Sequence, residues 1–356
     1  MSNNTLRRPT GLDYIFYNYR LYLIGLIAFL CMIFLAVGSN ISFAAGKTTK
    51  LVSASKKSLK KSHPKLKRKS SLKPSRIKRV KPVNPSVQAK AAYCVNLANN
   101  ETLISKNADE KLPIASLTKL VTALVTLDHM PLDKEITVPD HIKKVPKSVI
   151  GLKPGDTLTV RDLLHGMLIS SGNDCAESLA CAYPGGKDKF IEALNAKAKS
   201  LGVTNTKFFT PSGLDKKIGN ANCSEKEEEV EANVSTAREI ATIARIAFSN
   251  KVIQSICRKK SYVITSKLNP KGYSLRSTNK LLRDKLPVVS GKTGFTVRAG
   301  HCLASEFSPG NDLLVIVVLG SPNHFRDTRL LYLKALKQTN TIKSANSEAA
   351  AHVAAK

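Results

Sequence analysis

The chain lacks the spacings that commonly announce a bound metal. No two cysteines stand as CxxC and no two histidines as HxxxH, which removes zinc-ribbon and helical two-histidine sites. No internal repeat is present, so a solenoid or propeller is excluded. Acidic residues are scarce: 26 Asp and Glu stand against 56 Lys and Arg, a formal charge of +30 over 356 residues. The deficit is uneven, because residues 47–90 hold 16 Lys or Arg and no Asp or Glu. That stretch is Lys, Ser and Pro with few large apolar residues. It cannot bury enough surface to offset its ordering entropy and is expected to be a disordered basic linker.

What precedes the linker decides how its charge is read. Residues 21–38, LYLIGLIAFLCMIFLAVG, carry no charge over 18 positions, close to a bilayer-spanning length. Arg7, Arg8 and Arg20 lie before this run, and Ser42-Phe43-Ala44 after it offers small residues for a signal peptidase. Residues 1–46 are therefore expected to be a cleaved signal peptide or an uncleaved membrane anchor. The linker behind them would sit cytoplasmically by the positive-inside rule, but long domains translocate largely regardless of charge. Adhesion of the linker to anionic envelope polymers or lipid headgroups is expected, and nucleic acid is not an expected partner.

Of seven cysteines, Cys31 lies in the apolar run and six lie between Cys94 and Cys302. Cys175 and Cys181 are six apart on one predicted helix, about 9 Å of rise, a poor disulfide geometry. Most are expected to be small buried apolar residues.

From residue 91 the composition turns globular. AAYCVNLA and TLIS read as strands with a turn at NNE. Leu117, Leu120, Val121, Leu124 and Leu127 follow helical spacing from Ser116 to Met130. VRDLLHGMLISSGNDCAESLACAY reads as helix, break, helix, with the break at Ser170–Asn173. KFIEALNAKAKSLG is a helix ended by Gly202, and VSTAREIATIARIAF a helix capped by Ser235 or Thr236. SYVIT, VVSGKTGFT, AGHCLASEF and DLLVIVVLG read as strands, followed by a helix over about 327–337 and a frayed, Ala-rich tail over 338–356. Strands at both ends with helices between predict a mixed α/β body over residues 91–337. One antiparallel sheet is built from both ends around a helical insertion, without alternating βαβ units.

A lysine follows a serine by three at Ser116 and Lys119, but also after Ser53, Ser58, Ser62, Ser70, Ser75 and Ser277. Spacing alone therefore selects nothing. Two triplets that each occur once, Ser171-Gly172-Asn173 at the helix break and Lys292-Thr293-Gly294 on a strand, give Ser116 company. A serine hydroxyl needs an adjacent base, and a lysine can serve once desolvation or a second cation lowers its proton affinity. Helical i,i+3 spacing brings Lys119 to Ser116, and Lys292 supplies the second cation. Gly294 would let a substrate lie along the strand edge. The backbone N–H groups of Ser116 and Phe295 would form an oxyanion hole.

With these motifs in place the sequence resembles the D-alanyl-D-alanine carboxypeptidases among low-molecular-mass penicillin-binding proteins, whose motif set is S-x-x-K, S-x-N and K-T-G. PIASLTKLVTA, LLHGMLISSGNDCAESLA, KSLGVTNTKFFTPSGLD, VSTAREIATIAR, TNKLL and SGKTGFTVRAGHCLA follow the family's segments in order, over about residues 91–335. The resemblance implies a β-lactamase/transpeptidase-like fold and no cofactor. It implies a peptidoglycan stem peptide as substrate and β-lactams as inhibitors, with the catalytic domain outside the cytoplasmic membrane. It makes Ser116 the acylated nucleophile and Lys119 its proton acceptor. Ser171 would relay a proton to the leaving group. Asn173 would bind the substrate amide, and Lys292 and Thr293 its terminal carboxylate. Endopeptidase, transpeptidase or β-lactamase action on the same fold stays open, as does an inactive polyanion-binding module.

Two departures stand out. Relatives often place an arginine near the start of the last helix; here His324 stands there, with Arg326 close by. Phe295 follows Lys-Thr-Gly, where its side chain would narrow the site. Other candidates are read as structural: Ser170 as a neighbour of Ser171, and His165 and His301 as ordinary imidazoles. Glu192-Ala193-Leu194-Asn195 is read as helix surface, and Glu225–Glu231 as a surface loop.

Overall fold

The computed structural model describes residues 86–146, 148–218 and 229–354. The apolar run 21–38, nearly all of the basic linker and most of the acidic run 225–231 lie outside the described residues. No helix among the described residues is long and apolar enough to cross a membrane.

The central sheet has five antiparallel strands. β1 (Ala91–Asn96) and β2 (Glu101–Lys106) come from the start of the body. β3 (Val288–Thr296), β4 (Gly300–Phe307) and β5 (Leu314–Ser321) come from its end. The order is β3-β4-β5-β1-β2, so β5 joins the two ends by pairing with β1, Ala91 opposite Leu319 and Asn96 opposite Leu314. The uninterrupted apolar run of β5 follows from burial on both faces. Leu314, Ile316 and Val318 enter one core, while Val315, Val317 and Leu319 enter the other.

The helical insertion covers the larger core. It comprises α1 (Lys119–His129), α2 (Val160–Ile169), α3 (Asn173–Cys181), α4 (Gly186–Ser200), α5 (Ala237–Ser249) and α6 (Lys251–Cys257). Thr159 and Asp162 form a reciprocal capping box at the start of α2. Thr236, not Ser235, caps α5: its hydroxyl accepts the Glu239 N–H at 3.1 Å. The Ser235 hydroxyl instead shares a hydrogen bond with Thr206 at 2.6 Å.

The opposite face of the sheet is covered by α7 (His324–Ala354) through Leu331, Tyr332 and Ala335. This helix contains the expected 327–337 span and continues through the segment read as a frayed tail. Its Glu-Ala-Ala-Ala stretch is built from residues that favour helix. The body also begins earlier than the expected boundary at residue 91. Lys106 donates to the carbonyls of Val87 and Ala89, and the Gln88 N–H donates to the buried Asp327 carboxylate. Cys94, Cys175, Cys257 and Cys302 are buried free thiols, and Cys181 is half-buried.

Candidate active site

Ser116 lies on a 3₁₀ turn, Ala115–Thr118, that runs directly into α1. The turn is fixed from behind. The Thr118 hydroxyl donates to the Ala115 carbonyl at 2.8 Å and accepts from the Asn233 amide at 2.9 Å. Ala115 sits at φ +46°, in the left-handed region. Lys119, fully buried, extends along the first turn of α1 to place its Nζ 2.8 Å from Ser116 Oγ and 2.6 Å from Asn173 Oδ1. Burial first, and the nearby Lys292 ammonium second, hold its amine well below the usual lysine range.

The helix break supplies the second wall. Ser171, at φ +59°, turns the chain out of α2, and Asn173 opens α3. Asn173 is anchored by its own N–H to the Ser148 carbonyl at 2.7 Å and by its side-chain amide to the Pro146 carbonyl at 3.3 Å. The Asp174 carboxylate accepts the N–H groups of Ile150, Gly151 and Leu152, which ties the same segment to α3.

The third wall is β3, an edge strand of the sheet. Lys292 is buried and donates to Ser171 Oγ at 2.8 Å and to the Thr293 carbonyl at 2.7 Å. Burial brings its amine down to about 7. Thr293 shares a 2.6 Å hydrogen bond with Thr278. Gly294 also has a reason within the fold itself. A Cβ there would lie 3.0 Å from the Ile114 carbonyl oxygen and 3.0 Å from the Ser116 nitrogen, so its bare backbone lets β3 lie against the Ser116 turn itself.

All eight residues singled out from the sequence thus converge. Ser116, Ser171, Thr293, Gly294 and Phe295 line a cleft of about 300 Å³, while Lys119, Asn173 and Lys292 form hydrogen bonds with them or with one another beside it. Phe295 is 57% exposed at the rim, where its ring meets His301 at 4.5 Å.

The cleft also contains residues that pattern reading missed. Ser148, Thr278 and Lys280 line it. TNKLL was legible as a segment, but nothing in its spacing marks Thr278 as Thr293's partner. Ser170, expected to be structural, clasps the Arg276 backbone, accepting its N–H at 3.0 Å and so helping to place Thr278. His324 does line the cleft, at 7% exposure, with neither ring nitrogen hydrogen-bonded among the described residues. It stacks on His301 at 4.9 Å. Burial, then the neighbouring His301 and Lys280, push its imidazole down to about 4, so at neutral pH it offers no positive charge. Arg326 points elsewhere, toward the Ser86 carbonyl and Asp327. His165 lies outside the cleft, hydrogen-bonded to the Arg161 carbonyl and stacked on Tyr262. Glu192 is an exposed partner of Lys189.

A serine beside a buried lysine, on a helix start packed against the edge strand of such a sheet, defines a serine-type peptidase. The chain belongs to the D-alanyl-D-alanine carboxypeptidase family, whose model matches residues 78–323. It is 35% identical over 255 residues to the D-alanyl-D-alanine endopeptidase of Escherichia coli K12, covering 69% of this chain and 77% of that one. It is 30% identical to the D-alanyl-D-alanine carboxypeptidase DacB2 of Mycobacterium tuberculosis, covering 70% and 82%. Among solved structures, a D-alanyl-D-alanine carboxypeptidase from M. tuberculosis matches with a TM-score of 0.62 at 28% identity, over 72% of this chain and 96% of that one. Penicillin-binding protein D2 of Listeria monocytogenes in its ampicillin-bound form matches with a TM-score of 0.58 at 29% identity, over 71% and 99%. The mixed α/β, antiparallel-sheet fold expected from the sequence is the fold of these proteins.

Proposed function

We propose that the chain removes the terminal D-alanine from peptidoglycan stem pentapeptides through an acyl-enzyme on Ser116. The observation that carries this reading is the 2.8 Å approach of the Lys119 amine to the Ser116 hydroxyl. Lys119 is buried, next to Lys292, where a neutral amine is favoured. The neutral amine takes the hydroxyl proton as Ser116 Oγ bonds to the penultimate D-alanine carbonyl carbon. The N–H groups of Ser116 and Phe295 receive the developing oxyanion. As the C–N bond breaks, the proton passes to the departing D-alanine nitrogen through Ser171, which Lys292 holds. Asn173 binds the substrate amide, and Thr293 with Lys292 meets the terminal carboxylate. Water then attacks the ester and frees Ser116. A β-lactam acylates the same serine and stays attached.

Release of D-alanine from a pentapeptide ending in D-Ala-D-Ala, together with labelling by a fluorescent penicillin, tests the reading. Both are lost in Ser116→Ala. Labelling retained in that variant refutes the assignment of Ser116.

A second reading keeps the chemistry and changes the substrate. The relatives from E. coli and Pseudomonas aeruginosa, 35% and 33% identical, are named endopeptidases. Among the described residues no arginine lines the cleft to demand a free carboxylate. Faster cleavage of cross-linked peptide dimers than of pentapeptide selects this reading.

The substrate places the enzyme's work in the bacterial cell envelope. We take residues 91–337, with residues 86–90 packed on them, as the catalytic unit, residues 1–46 as signal or anchor, and the rest of 47–90 as a linker that adheres to anionic polymers or headgroups. The support is the uncharged run 21–38 and the absence of acidic residues in 47–90. Unchanged wall and membrane association after deletion of 47–85, which spares the residues bonded to Lys106 and Asp327, would remove the adhesive role.

A further inference from the structure

Away from the cleft, three side chains from two elements meet on the outer surface of α3. His141 belongs to the 3₁₀ turn Asp140–Lys144. Glu177 and Cys181 lie one helical turn apart on α3, at i and i+4. His141 Nε2 is 3.7 Å from Glu177 Oε1 and 3.7 Å from Cys181 Sγ. One donor atom from each residue lies within 4.8 Å of the others, the only such trio among the described residues. The cluster opens onto a groove of about 390 Å³ lined in part by Lys144, Ser212 and Lys216.

We propose that His141, Glu177 and Cys181 form a binding site for zinc or a closely similar borderline divalent ion, with a fourth position open to water or a small anion. Imidazole, carboxylate and thiolate together suit zinc better than calcium or magnesium, which take oxygen donors. Bonds of about 2.0–2.3 Å in a tetrahedral arrangement put donor atoms about 3.3–3.6 Å apart. The two separations from His141, 3.7 Å each, need only a small contraction, and the Glu177 and Cys181 donors, within 4.8 Å, close the remainder by side-chain rotation on the helix. The i,i+4 pair supplies two ligands from a rigid helix, and half-exposed His141 can adjust as the third. Lys187 now occupies the same Glu177 oxygen, at 2.5 Å. Its side chain is 42% exposed and can turn into solvent when a cation replaces it.

Binding converts the Cys181 thiol to a thiolate, forming the S–metal bond and releasing its proton to solvent. Burial and the Glu177 carboxylate keep that thiol protonated until a metal arrives. The site has a structural consequence. The segment after His141 runs to Pro146 and Ser148, whose carbonyls hold Asn173 at the start of α3. A metal would fasten the other end of that segment to the last turn of α3. The sequence offered no metal spacing because only Glu177 and Cys181 are near each other along the chain.

The test uses the full-length chain, detergent-solubilised, reduced and free of any histidine tag, titrated with Co²⁺ and then Zn²⁺. The expected result is one equivalent of cobalt with a thiolate charge-transfer band and strong tetrahedral visible bands, all displaced by zinc. Cys181→Ser abolishes the charge-transfer band. His141→Ala, at a half-exposed position, keeps the melting temperature of the metal-free protein. It weakens cobalt and zinc affinity by at least about tenfold, the least expected when a ligand is lost. Absence of the charge-transfer band in the wild type, its survival in Cys181→Ser, or unchanged affinity in His141→Ala overturns the site.

Discussion

Lys292 gives the sharpest quantitative consequence of this architecture. Its amine is buried between Ser171 and the Thr293 carbonyl, and burial lowers it from 10.5 to about 7. In the unfolded chain the same amine has its ordinary value. Between about pH 7 and 10.5 the unfolded state therefore binds more protons than the native state, and stability rises with pH. The contribution is complete above the unfolded value, is lost progressively as pH falls toward the folded value, and is flat below it. At about 1.4 kcal/mol per pH unit, the shift spans on the order of 5 kcal/mol. Lys292→Met removes that titration while keeping the aliphatic stem. Urea denaturation of both proteins from pH 6 to pH 10.5 reads the difference. Lys119 titrates in both and contributes a slope of the same sign, so it largely cancels apart from its coupling to Lys292. The expected result is a gap that moves in favour of the wild type by about 1 kcal/mol per pH unit across the window, with Lys292→Met gaining relative stability at the acid end. Parallel curves would refute the reasoning, since they would mean that Lys292 has the same proton affinity folded and unfolded. Loss of penicillin labelling in the same variant would show that the destabilising charge is held for function.

Gly213 has φ +84°, and a Cβ there would lie 1.9 Å from the Ala115 carbonyl oxygen. Gly213→Ala is expected to cost about 2–4 kcal/mol in denaturation and to slow acylation of the folded fraction by displacing the Ser116 turn. Lys280→Ala should raise KM for a free-carboxylate pentapeptide about tenfold, equivalent to about 1.4 kcal/mol, with kcat little changed. The same variant should not affect a substrate amidated at its C-terminus, and an equal loss on both would exclude a carboxylate contact. Asp174→Asn weakens the acceptor for four backbone N–H groups, those of Ile150, Gly151, Leu152 and Cys175, and should cost about 1.5–3 kcal/mol by urea denaturation. Arg326→Ala, whose side chain faces away from the cleft, should leave steady-state kinetics within about twofold, as surface changes do.

Features that depend on periodicity or on a unique triplet were legible before the structure. β5 shows why: its run of apolar residues on both faces is what a central strand between two cores must look like. Ser116 was separable from six other Ser-x-x-Lys matches because it alone opens an apolar-faced helix and is followed by the other two triplets. Thr278 and Lys280 were not separable, because they reach the cleft from a loop in which no period marks direction. Their place is set by the Thr278 N–H bond to the Ile169 carbonyl and by Ser170's grip on Arg276. Gly294 was found for an incomplete reason. Its missing side chain suggested room for a substrate along the strand edge, and the structure adds that the backbone of Ile114 and Ser116 must also be cleared. His324 was found at the right place with its charge left open, because burial, which sequence does not report, decides whether an imidazole is an ion.

Three of the five non-glycine residues with positive φ among the described residues stand at the site: Ala115 in the Ser116 turn, Ser171 at the break between α2 and α3, and Ser148 on the segment that holds Asn173. Each costs about 1–2 kcal/mol relative to an ordinary conformation. All three persist because hydrogen bonds over-determine them. Thr118 and Asn233 hold the Ala115 turn, Asn173 takes the Ser148 carbonyl, and Lys292 takes the Ser171 hydroxyl. The strain therefore lies where Ser116, Lys119, Asn173 and Lys292 must stay within hydrogen-bond reach without rearranging. A site that reorganised on binding would use part of the substrate's binding energy for alignment; here the fold has already supplied that alignment. This accounts for why buried ammonium groups, expensive by themselves, are placed against such constrained backbone: a charged or neutral lysine is useful only if its partner cannot drift away from it.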